Sequence, residues 1–164
     1  MRHRFVVLPQ YLLPKRALTR LAGRAASARG GRLTATMVQR FAKAYGVDMT
    51  EAANPDLRSY ETFNDFFTRS LRPGVRPIAE ADLVCPVDGA ISHFGAIEHD
   101  QIFQAKGHHY STAALLGGDA QAAAAFDDGD FATIYLSPRD YHRIHMPAVA
   151  TLRRMVHVPG ELFS

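Results

Sequence analysis

Cysteine is almost absent from this sequence: Cys85 stands alone among 164 residues, which excludes an intramolecular disulfide and gives no support to a cysteine-based metal site. On that count a reducing compartment is the expected setting. Also missing is any run of about 18 uninterrupted apolar residues, so no segment reads as a transmembrane helix. Acids are missing from one end of the chain. Residues 1–46 hold ten Lys and Arg and no Asp or Glu, and the first acid is Asp48. The rest holds nine bases against sixteen acids, so the overall charge of +3 conceals a strongly basic end on an acidic body. That asymmetry points to an anionic surface as partner, either a membrane or a nucleic acid.

What is present chooses between them. Phe5, Val6, Val7, Leu8, Tyr11, Leu12 and Leu13 come first, and Leu18 and Leu21 follow among Lys15, Arg16, Arg20 and Arg24. Apolar residues beside basic ones suit a segment lying among lipid headgroups, where burial and charge attraction add. Nucleic acid does not need so much apolar surface and is not the expected partner. Two plainer readings compete. These apolar residues pack on the rest of the domain, or Arg2 and Arg4 open a signal peptide ending near Ala26-Ser27-Ala28. Pro9 and Gln10 interrupt the apolar run, and four bases follow it, which argues against the signal peptide.

With 47% hydrophobic residues the chain can bury one sizeable core plus a helical appendage. After Thr34 and Thr36, either able to cap, Val38, Phe41, Ala42 and Tyr45 recur at helical spacing, and Gly46 stops the helix. A second helix is predicted over 62–70, with Thr62 as cap, Asp65 at its third position and Phe63, Phe66 and Phe67 as its apolar face. From Leu83 short apolar stretches bounded by Gly, Pro and Asp replace helical periods. Strands are predicted at 83–87, 90–97, 101–105, 131–136 and 149–158, with one helix between Ser111 and Gly117-Gly118. The expected fold class is α+β: basic N-terminal helices over 1–70, facing a membrane, then a β-rich core over 71–164 that is incomplete at its C-terminus.

Two segments carry unusual chemistry. Cys85-Pro86-Val87-Asp88-Gly89-Ala90 places an acid at a tight bend, and taken alone it reads as an Asp-Gly hairpin turn. Ser137-Pro138-Arg139-Asp140-Tyr141-His142-Arg143-Ile144-His145-Met146-Pro147 crowds two histidines, an acid and two arginines between prolines that keep it out of regular helix. Two histidines three apart suit a metal only on a helix, and no third ligand stands at a familiar spacing, so no metal site is expected. A His paired with a distant Asp suits general acid–base work, normally on a Ser or Cys. Histidines making local hydrogen bonds at the surface remain the plain alternative.

The string Tyr135–Pro147 resembles the signature of phosphatidylserine decarboxylases. Collinear likenesses surround it: Gln10-Tyr11-Leu12-Leu13-Pro14-Lys15, Arg76-Pro77-Ile78, Pro86-Val87-Asp88-Gly89, Gln104-Ala105-Lys106-Gly107, Leu115-Leu116-Gly117-Gly118 and Val158-Pro159-Gly160-Glu161-Leu162-Phe163-Ser164. One departure is Ala148-Val149-Ala150, where family members usually have a glycine.

The resemblance implies a pyruvoyl enzyme that converts phosphatidylserine to phosphatidylethanolamine and CO₂. Such enzymes are made as a proenzyme that cuts itself at a Gly-Ser bond by an Asp-His-Ser triad. It further implies Asp88 and His145 as the first two triad members and His142 as the histidine of the decarboxylation step. No Gly-Ser dipeptide occurs in these 164 residues. The chain is therefore expected to be the N-terminal part of the large subunit, inactive alone. Its expected partners are the C-terminal part, a small subunit bearing the pyruvoyl group, phosphatidylserine and an anionic membrane, with room for a homodimer. The expected location is the cytoplasmic face of a bacterial-type inner membrane, held peripherally. A non-catalytic lipid-binding module at a membrane surface is the competing reading.

Overall fold

A computed structural model describes residues 14–97, 101–104 and 108–158. The apolar stretch Phe5–Leu13, residues 105–107 and the segment Pro159–Ser164 lie outside the described residues. Helix α1 (Lys15–Ala26) is followed by α2 (Arg32–Tyr45) and the short α3 (Phe63–Phe67). Then come strands β1 (Ala90–Ala96), β2 (Gln101–Gln104) and β3 (His108–Ser111), helices α4 (Thr112–Leu115) and α5 (Ala120–Ala124), and strand β4 (Asp130–Tyr135). The class is α+β, as the sequence leads one to expect.

Helix α2 begins earlier than Thr34. Gly31 precedes its first turn, and Thr34 is buried with its hydroxyl accepting from the Gly30 N–H at 3.0 Å. Its end is the expected one: Gly46 takes a left-handed φ of 65°, which a residue with a Cβ adopts only with strain. Helix α3 is shorter than predicted but capped as predicted. Thr62 accepts from the Asp65 N–H at 3.0 Å, and the Asp65 carboxylate accepts from the Thr62 N–H at 3.1 Å. Val38, Ala42 and Phe66 form a core between α2 and α3, with Phe41, Val47, Met49, Leu57, Tyr60 and Phe63 packed around it. Phe41 meets Phe63, Phe66 and Phe67 edge to face, the arrangement that ring quadrupoles favour.

Strands β1 and β4 pair antiparallel from Ala90↔Tyr135 to Ala96↔Asp130, with an irregularity between Ile91 and His93. Strands β2 and β3 form a second antiparallel pair. The hairpin reading of Asp88-Gly89 is corrected here, because β1 pairs with β4 and not with the segment before the bend. Gly89 serves another purpose: a Cβ there would meet the Tyr135 carbonyl oxygen at 2.6 Å, so its absence lets the chain enter β1 against the end of β4.

Two predicted strands do not form. Segment 83–87 makes only two backbone bonds to the histidine segment, Val84 N–H to the Pro147 carbonyl and His145 N–H to the Pro86 carbonyl, both at 2.8 Å. Pro86 and Pro147 have no N–H, so this pairing cannot grow into a ladder. Residues 149–158 are exposed and belong to no strand. The helix after Ser111 forms as expected: Ser111 caps α4 by accepting from the Ala114 N–H at 3.0 Å, and Gly117 and Gly118 follow it at positive φ. Beyond them lies a helix not predicted, α5, capped by Asp119, which accepts from the Ala122 N–H at 2.9 Å.

Candidate active site

The histidine segment leaves β4 and turns at once. Ser137 donates its N–H to the Asp140 carboxylate at 2.6 Å, and Asp140 returns its N–H to the Ser137 carbonyl at 2.9 Å. This closes a turn around Pro138 and Arg139 and spends the Asp140 side chain on local structure. The loop is then clamped to α3 and the residues just after it. Arg143 Nε donates to the Thr68 carbonyl at 2.7 Å, and Arg69 Nη2 donates to the Arg139 carbonyl at 3.2 Å. Arg69 is only 5% exposed and lies over the Phe66 ring. Burial pushes its guanidinium below the ordinary arginine value, against the pull of Tyr60, Glu51 and Asp48.

His142 and His145 leave this loop in different surroundings. His142 Nδ1 lies 2.9 Å from the Asp140 carbonyl, an atom that only accepts, so Nδ1 carries the hydrogen and Nε2 is the basic nitrogen. The imidazole rests on Phe67, with ring centroids 4.1 Å apart. His145 Nε2 lies 2.9 Å from the Tyr141 hydroxyl, and the two rings stack at 5.6 Å. Tyr141 is buried.

Asp88 and His145 line one cavity of ≈ 580 Å³, together with Arg76, Tyr141, Met146 and an apolar wall that includes Ile78 and Leu83. Between Asp88 and His145 there is no hydrogen bond. Asp88 Oδ2 instead accepts from Arg76 Nε at 2.7 Å, and Arg76 also grips Glu51. His142 is not among the residues lining that cavity. A second cavity of ≈ 610 Å³, bounded by Arg69, Arg139 and Asp140, shares Arg76, Asp88 and Tyr141 with it. Among the described residues no group of three His, Cys, Asp or Glu side chains is placed to hold a metal ion, and no helix is long and apolar enough to cross a membrane.

Sequence reasoning missed Glu51, Phe67 and the role of Tyr141. For Tyr141 a signal existed, since it stands four residues before His145. Nothing local foretells that Glu51 and Asp88 converge on Arg76, which lies 25 and 12 residues away from them in sequence.

Comparison with known proteins follows the same lines. The family model described as phosphatidylserine decarboxylase matches residues 63–164, and a second, described as PSD, matches residues 5–46. The first stretch contains Arg76, Asp88, Tyr141 and both loop histidines. The chain is 72% identical to a phosphatidylserine decarboxylase proenzyme of Acidovorax ebreus and 69% identical to one of a Polaromonas species, in each case over all 164 residues. A proenzyme of Methylibium petroleiphilum is 68% identical over the same length. The chain spans 58% of the length of each of these relatives. With the family match running through both walls of the cavity and the whole histidine loop, this chain belongs to the phosphatidylserine decarboxylase family.

Proposed function

We propose that the chain is the N-terminal portion of the large subunit of a pyruvoyl-dependent phosphatidylserine decarboxylase, made as a proenzyme that cleaves itself and then converts phosphatidylserine to phosphatidylethanolamine and CO₂. The observation that carries this reading is the single cavity walled by both Asp88 and His145. An imidazole and the buried Tyr141 phenol suit a ketone, which needs hydrogen-bond donors. His145 and Tyr141 are thus the residues to hold a pyruvoyl group. That group supplies a carbonyl electron sink for the departing carboxylate.

The chain's own residues do the proton work. His145 takes the proton from a serine hydroxyl supplied by the C-terminal part, and Asp88 steadies the imidazolium. Tyr141 must yield Nε2 for that step, or His145 must work through Nδ1. His142, with hydrogen fixed on Nδ1, takes up a proton at Nε2 and returns it to the substrate carbon. The basic helices meet the anionic surface in which the lipid lies.

Expressed as a full-length proenzyme, the protein is expected to run as two bands and to release CO₂ from phosphatidylserine in detergent micelles. A purified proenzyme that stays as one band and is inactive would refute the reading. The 164-residue chain alone is expected to release none, because neither histidine replaces a carbonyl electron sink. Turnover above the enzyme-free control would refute that.

A further inference from the structure

Arg76 connects two parts of the molecule. Its Nη1 and Nη2 donate to Glu51 Oε1 and Oε2 at 3.1 and 2.8 Å, a two-pronged grip. Its Nε and Nη2 both reach Asp88 Oδ2 at 2.7 Å. The two carboxylates hold this guanidinium above the ordinary arginine value, with the hydrogen bond to Glu51 the larger cause and that to Asp88 next. A planar guanidinium with both edges engaged fixes one carboxylate relative to the other.

Glu51 is a firm post. Its carbonyl accepts from the Arg72 N–H at 2.9 Å, the neighbouring Ala52 is fully buried and bridged to Leu71, and Ala53 donates to the Ser70 carbonyl at 2.9 Å. Asp88 sits at a bend just ahead of β1, and its side chain serves no turn there. Its contacts fall on Oδ2 alone, and a carboxylate oxygen has room for further donors. Arg76 therefore holds Asp88 on the cavity wall while Oδ1 is left for an imidazole N–H.

We propose that Arg76, seated on Glu51, is the positioning residue for Asp88 and so governs how fast the proenzyme cuts itself. The inference rests on the reading of Asp88 and His145 as the self-cleavage pair.

The test uses the full-length proenzyme and follows the appearance of the two bands with time. Arg76→Ala is expected to slow cleavage on the order of 10–100-fold, the range found when an outer partner that orients a metal ligand is lost. Guanidinium ion added below denaturing concentration, but not sodium, should restore much of the rate, and Arg76→Lys should retain part of it. Cleavage of Arg76→Ala at the parent rate overturns the proposal. So does a slowed variant that neither guanidinium nor lysine rescues, since a purely structural tie predicts that result. If Arg76→Ala does not fold, Glu51→Gln carries the test: it keeps the guanidinium and Asp88 but loosens the post. Slowed cleavage at an unchanged melting temperature supports the proposal, and a parent rate overturns it. His145→Ala is run beside them. Should that variant mature normally, the self-cleavage reading itself fails, whatever Arg76 does.

Discussion

Each residue of the candidate site is committed by its nearest partner, and those partners decide what a substitution does. Asp88 looks like a turn former beside glycine, yet its carboxylate reaches an arginine twelve residues away. Spacing finds the two loop histidines because they are close in sequence. It does not separate them, since their difference lies in Phe67 against one ring and Tyr141 against the other. That separation matters for variants of a full-length proenzyme. In the proposed roles His145 is the base and Asp88 steadies it, so His145→Ala and Asp88→Ala are both expected to stay as one band on a gel. His142→Ala is expected to mature normally and then decarboxylate about 10²–10⁴-fold more slowly, the usual worth of a general acid or base. Normal maturation of His145→Ala, or full activity of His142→Ala, would show that the roles are assigned to the wrong rings.

Among the elements, those stabilised by local chemistry were legible and those needing distant partners were not. The Thr62–Asp65 box and the Gly46 stop are written in adjacent residues. The failure of 83–87 to become a strand was also written there, in Pro86 and Pro147, but only once the two segments are known to meet. The register irregularity in β1 has no such local mark. Element stability should follow the same contacts. Thr62→Ala is expected to cost about 1 kcal/mol through loss of a helix cap. Phe66→Ala, at a fully buried core position, is expected to cost about 3–5 kcal/mol. Urea unfolding of the full-length protein ranks the two, and equal losses would contradict the burial.

Helix α5 adds a pH dependence. The Asp119 carboxyl is held below its ordinary value, first by the Ala122 N–H and then by Arg154 at 3.1 Å. Because the folded value is lowered, its contribution is complete above the ordinary carboxylate range and is lost as pH falls through the lowered value. Protection of the Ala122 amide, measured against the intrinsic exchange rate at each pH, should therefore fall in acid, and Asp119→Asn should remove that acid dependence. A protection factor that ignores pH in the parent protein would exclude the carboxylate as the cap.

At the scale of the whole chain the dominant feature is the division of charge, with ten bases and no acid in residues 1–46. Basic residues and exposed leucines share α1: Leu18 and Leu21 are 46% and 63% exposed, among Arg20 and Arg24. Among the described residues these two leucines do not pack on the core. A peripheral membrane anchor in residues 1–32 is our proposal for this end. Lys15, Arg16, Arg20, Arg24, Arg29 and Arg32 would each contribute up to about 1 kcal/mol near an anionic surface. Screening beyond a Debye length of about 8 Å at physiological salt leaves much less than their sum. Insertion of Leu18 and Leu21, joined by Phe5, Val7, Leu8 and Leu12 of the preceding segment, adds an apolar contribution that salt does not weaken. Binding to phosphatidylserine vesicles should therefore fall between low and high ionic strength without vanishing. A purely electrostatic contact predicts complete loss in salt. Vesicle sedimentation of the full chain beside one lacking residues 1–32 distinguishes these outcomes, and equal pelleting of both would place the anchor elsewhere.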